Sequence, residues 1–160
     1  MIDAKTLICQ RAGDLPQGAV AWIEGTKVPV LVLASPMSED GEPLATRFMD
    51  LGGEPRFDVW HGSNVAGQPA LFVRGLRLEV DLASRKPFAL SYDLVGCAFV
   101  AGNQRGLIGI GGGSSAKTLC AVTIDGEQVP TPQPDDAVAF GKWRLVHGEG
   151  EEAAILFEST

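Results

Sequence analysis

Histidine, cysteine and basic residues are scarce in this chain, and each scarcity closes a route. Two histidines, His61 and His147, are too few for a three-histidine zinc centre, and no H-x-H pair exists for a cupin-type metal site. Three cysteines, Cys9, Cys97 and Cys120, form no C-x-x-C pair and leave one over in any pairing scheme. They read as small buried hydrophobes in a reducing compartment. Thirteen Lys and Arg against 20 Asp and Glu leave a net charge of −7, and no basic cluster offsets it locally. Such a chain repels a phosphate backbone, so nucleic acid is not expected as a partner. Long apolar runs are missing too. Leu94 to Gln104 is uncharged over only eleven residues and contains glycine, which is too short for a membrane-spanning helix. The amino terminus, Met1-Ile2-Asp3-Ala4-Lys5, has an acid where a signal peptide carries basic residues. The expectation is a soluble protein with no membrane partner, cytoplasmic or built into a virion-like particle.

What is abundant is turn chemistry. Twenty glycines and ten prolines in 160 residues, with hydrophobic residues at 45%, favour many short strands over long helices. One domain covering residues 1–160 is expected, large enough to bury about two thirds of its unfolded surface without a disulfide.

Read in order, Thr6 to Gln10 is a short strand, and Gly18 to Ile23 is a second with Ala19, Ala21 and Ile23 on one face and Val20 and Trp22 on the other. Lys27 to Ala34 is apolar on both faces, as in a strand covered twice, with Pro29 confining its start. Pro43 to Gly52 offers the one fair helix signal, with Leu44, Phe48 and Leu51 on a face and Gly52 as a cap; a strand is the alternative. Arg56 to His61 reads as a strand with Phe57 and Val59 inward. From Leu71 to Leu82 the apolar parity switches around Gly75, from Leu71 and Val73 to Leu76, Leu78, Val80 and Leu82. A strand must absorb that slip with a bulge or a break, which glycine permits. Phe88, Leu90, Tyr92 and Leu94 repeat the alternation, and Cys97 to Ala101 is apolar on both faces.

Leu119 to Ile124, the Asp125-Gly126 turn and Glu127 to Val129 form a hairpin. Pro130, Pro132 and Pro134 then enforce an extended polyproline segment that bridges two sheets or lies across a neighbour. The last hairpin runs from Val138 to His147 and returns through Ala153 to Glu158. The fold class is mostly β: a sandwich or barrel of about ten short strands with at most one short helix near residues 43–51.

Between Gly102 and Thr118 glycine replaces side chains, and the stretch reads as a loop. Gly111 to Thr118 spells G-x-x-x-x-A-K-T, near a phosphate-cradling loop. Ala116 would crowd the phosphates, however, and the β-branched residues that follow do not start the required helix. Ser114 and Lys117 have the spacing of a nucleophile and its base in some acyl-transfer enzymes. Their bland reading is a solvated turn. Asp58 and His61 are a second candidate pair, although three positions apart on a strand they point to opposite faces. Trp22, Trp60 and Trp143 could stack on a sugar or a base, but a β-rich core accommodates them without one. No cofactor-binding or metal-ligating set emerges.

Three functional readings follow. The first is a non-catalytic structural or interaction protein acting through protein contacts, above all with itself. The second is a β-barrel holding a small molecule, with residues 102–118 as its lid. The third is a hydrolase-type enzyme using Ser114 and Lys117, or Asp58 and His61.

Overall fold

Short alternating segments fold as strands throughout the computed structural model, which describes residues 2–53, 57–111, 116–150 and 153–159. Fifteen strands are present among them: β1 (Ile8–Arg11), β2 (Val20–Ile23), β3 (Val30–Leu33), β4 (Arg47–Asp50), β5 (Val59–His61), β6 (Pro69–Val73), β7 (Leu76–Val80), β8 (Arg85–Pro87), β9 (Ala98–Ala101), β10 (Gln104–Gly111), β11 (Thr118–Thr123), β12 (Gln128–Val129), β13 (Ala137–Phe140), β14 (Trp143–His147) and β15 (Ala154–Glu158). The described helical segments are single 3₁₀ turns. Of the two readings of residues 43–51, helix or strand, the strand holds, because β4 is held there between β3 and β5.

The strands form three antiparallel sheets, ordered β1-β6-β2-β3-β4-β5, β12-β11-β10-β9-β13-β8 and β15-β14-β7. The architecture is that of a β-sandwich, and no sheet closes into a barrel among the described residues. The central core joins Val20, Leu31, Leu33, Met49 and Leu51 of the first sheet and its flanks to Leu107, Cys120 and Val122 of the second and to Trp143 and Leu145 of the third. Each of the two larger sheets also buries its outer face. Ala21, Val30, Val32, Phe48 and Phe72 cluster behind the first, and Phe99, Ile108 and Ala139 behind the second, beneath Phe88 and Leu94. Burying Phe48, Phe72 and Phe99 contributes about 1.5–3 kcal/mol per side chain.

The faces of β2 and β3 agree with the alternation, since Ala21, Ile23, Val30 and Val32 share one cluster and Val20, Leu31 and Leu33 the other. The parity switch at Gly75 is a break. This glycine has φ +69°, and the chain leaves the first sheet at β6 to start the third at β7. The proline segment crosses its own sheet. β12 and β13 stand four strand positions apart, about 19 Å at about 4.8 Å per strand; residues 130–133 extended reach about 12 Å, and the 3₁₀ turn Pro134–Asp136, which replaces the extended backbone expected at Pro134, adds about 6 Å. Gln133, in the middle of the segment, has φ −76° and ψ 150°, the dihedrals of the polyproline conformation.

Several expectations are corrected. Phe88 to Leu94 is not a strand: Leu90 and Tyr92 are exposed, and the Ser91 hydroxyl accepts from the Asp93 amide to cap a 3₁₀ turn. Val138 to His147 is not one hairpin arm, because β13 lies in the second sheet and β14 in the third. Leu71 and Leu82 face solvent, as does Cys9, whereas Cys97 and Cys120 are buried. The largest correction falls on the glycine stretch. Over Gln104–Gly111 it is the longest described strand, paired with both β9 and β11. Its glycines serve close packing rather than loop freedom. A Cβ on Gly106 would lie 2.0 Å from the Val122 carbonyl oxygen, and one on Gly109 would lie 2.5 Å from Met49 Cε.

Candidate functional site

Two of the chemistry-bearing residues meet where the first sheet touches the second. Phe57 adopts φ +58°, a left-handed conformation that costs a side-chain-bearing residue about 1–2 kcal/mol. Both sheets hold it there. Its amide donates to the Asp50 carbonyl at 2.9 Å, and its own carbonyl accepts from the Ile110 amide of β10 at 2.8 Å. Its ring is buried against Trp143 and Phe157, with centroids 5.9 and 6.2 Å away.

Asp58 follows at this corner, bridged in parallel to Ile110. Lys117, immediately before β11, places Nζ 3.3 Å from Asp58 Oδ2. The Tyr92 hydroxyl donates to the Lys117 carbonyl at 2.5 Å. Behind Asp58 lies Asp50, whose carboxylate accepts from Trp60 Nε1 at 2.8 Å. Partial burial raises Asp50 above the usual carboxylate range; the Trp60 hydrogen bond opposes this, and the neighbouring charge of Asp58 adds to it. The Lys117–Asp58 pair is half exposed, and such pairs contribute about 0–1 kcal/mol.

The structure therefore pairs one member of each candidate couple with the other. His61, exposed at the end of β5 and opposite Arg47 on β4, has no hydrogen bond to Asp58 among the described residues. Ser114 lies outside the described residues, so the Ser114 and Lys117 pair is not placed. The phosphate-loop resemblance meets a strand, not a helix, at Thr118. The sequence marks Trp60 only as a stacking candidate and gives no sign of Asp50 or Tyr92 at this site, because their partners are brought close only by the fold. What the cluster does chemically is latch the rim of two sheets through one carboxylate and one ammonium. Among the described residues no group of three or more His, Cys, Asp or Glu side chains is placed to hold a metal ion, and no helix is long and apolar enough to cross a membrane.

The tryptophans divide. Trp143 is buried, and its Nε1 donates to the Gly96 carbonyl at 2.7 Å; Trp60 stacks at a tilt on Phe48 at 5.0 Å. Trp22 is only half covered. Cys9, Leu71 and Trp22 stand opposite one another across β1, β6 and β2. With Pro69, Ala70, Ile23 and Glu24 they line an open and largely apolar recess. On the third sheet, Glu79 is held below the usual carboxylate range by Arg77 and then Arg144, whose nitrogens lie 2.8 and 2.6 Å away.

These features define an open, three-sheet antiparallel β-sandwich with an apolar shelf beside β1. The chain belongs to the family described as "Uncharacterised protein y4lG", whose model matches residues 3–160. No curated protein and no solved structure matches it.

Proposed function

We propose that this is a non-catalytic β-rich protein that works through protein contacts, chiefly by self-association. The observation that carries the reading is the apolar row across β1, β6 and β2, in which Cys9 and Leu71 are exposed beside the half-buried Trp22. Most large apolar side chains in the inner strands of the two larger sheets are buried, so an open apolar shelf at the β1 edge marks a contact surface. The barrel reading finds less support, since the sheets stay open among the described residues and residues 104–111 of the proposed lid are strand β10. Sedimentation equilibrium from micromolar to millimolar concentration tests the proposal. A concentration-dependent dimer or larger assembly is expected, and a monomer across the whole range overturns it.

A further inference from the structure

Resting on that reading, we infer that self-association runs through the free edge of β1, which pairs antiparallel with β1 of a second copy across a two-fold axis. Edge strands invite such pairing unless they are blunted. The other edges are blunted. β12 has two residues and is followed by Pro130; β8 is Arg85-Lys86-Pro87; and β7 carries Arg77 and Glu79. β15 is uncharged over Ala154–Phe157, with Ile155 exposed, but it is irregularly paired with β14, ends in Glu158 and follows Glu151 and Glu152 in sequence. β5 is three residues long and runs on from Asp58, which is bridged to β10. Among the described edge strands, β1 alone is exposed at every residue and also uncharged over three of its four, Ile8-Cys9-Gln10.

The ladder shows which groups are free. The Ala12 amide donates to the Gln68 carbonyl, so with the β1–β6 register the even residues of β1 bond β6. The amides and carbonyls of Cys9 and Arg11 therefore point away from the sheet. Charge also suits a second copy. Residues 2–12 hold Lys5 and Arg11 against Asp3 alone, a net of 2 − 1 = +1, in a chain of −7 overall. A two-fold contact brings the same edge from each copy, so the like charge that meets there is only this small one and not the −7 of the whole chain. A standard interface takes about a tenth of a small protein's surface on each partner, here about a tenth of 9106 Å². β1 alone is smaller than that. The adjoining shelf extends it, because directly opposed residues share a face and each Arg11 brings its aliphatic stem towards the partner's shelf.

Two registers pair the outward-pointing residues. Centred on Cys9 they set the two Cys9 Cα atoms about 5.5 Å apart; centred on Gln10, about 7–8 Å. Cys97 and Cys120 are buried, so a short bifunctional maleimide applied to the folded protein should link copies through Cys9 alone. Arg11 has φ −71°, so Arg11→Pro removes an outward N–H without straining the backbone. Cys9→Lys places a charge on the same exposed edge. Expected are a Cys9-dependent covalent dimer, abolished by Cys9→Ser, and a dimer dissociation constant raised at least about tenfold by each of Arg11→Pro and Cys9→Lys. A dimer that resists both variants and does not cross-link through Cys9 overturns this interface while leaving self-association standing. A monomer at millimolar concentration overturns both.

Discussion

Trp143 and Gly96 are joined by an indole N–H donated to a carbonyl at 2.7 Å, and this contact ties the third sheet to the turn before β9. Gly96 has φ +83°, and a Cβ there would lie 2.7 Å from the Phe57 ring. Trp143→Phe keeps most of the packing but leaves the Gly96 carbonyl without its donor. The expected loss is about 1–3 kcal/mol. Gly96→Ala adds left-handed strain to a clash with a ring that is itself wedged against Trp143, and at least about 2 kcal/mol should be lost. Denaturant titration of the two variants checks the order: Gly96→Ala should be the less stable or equal, and a neutral Gly96→Ala contradicts the corner as described.

The glycines of β10 make a second prediction. At Gly106 a Cβ would meet the Val122 carbonyl oxygen at 2.0 Å and Thr123 Cα at 2.7 Å, both backbone atoms of the neighbouring strand. Relief requires the β10–β11 ladder to part, so Gly106→Ala should cost several kcal/mol, on the order of 3 or more. Gly67 is the control, because nothing lies within 4 Å of its would-be Cβ. Gly67→Ala should raise stability by about 0.4–1 kcal/mol through the unfolded chain. Thermal melts of the pair should move in opposite directions.

These glycines also show where the sequence was legible. The two-sided pattern of β3, the alternation of β2 and the parity switch at Gly75 were readable, because each is a local consequence of which face is buried. The glycine stretch was not, since the demand for glycine comes from the Val122 backbone and Met49, which are distant in sequence. Leu44, Phe48 and Leu51 mimic a helical face, yet Phe48 is opposed by Val32 and Trp60 in a sheet. Tertiary pairing overrides so weak a local preference. The Asp58–Lys117 contact spans 59 residues and joins halves of two unrelated candidate pairs, so no spacing rule could find it.

The cysteines give a third prediction. Burial pushes the Cys120 thiol up to about 11 and also raises Cys97, while Cys9 is exposed. The thiolate is the reactive form. Maleimide labelling at pH 7 followed by mass measurement should therefore add one group to the native protein, at Cys9, and three to the unfolded protein. Rapid labelling of Cys120 in the native state contradicts its place in the core.

Asp50 sets the pH dependence. Its folded pKa is raised, chiefly by burial, so as pH climbs through the carboxylate range the unfolded chain releases this proton before the native one does. The native state then binds more protons than the unfolded state, and this group's contribution to stability falls with rising pH. Asp50→Asn removes the charge and keeps an oxygen to accept from Trp60 Nε1. The variant should melt above the wild type at pH 7, and its advantage should shrink as pH falls below the ordinary Asp value of about 3.9, where both chains carry a neutral group. A variant less stable than wild type at pH 7 means that the carboxylate is held favourably by the Trp60 hydrogen bond, the opposing influence at this site. Asp58→Asn separates the causes, because it removes the charge that adds to the rise at Asp50 while leaving the burial and the indole bond in place.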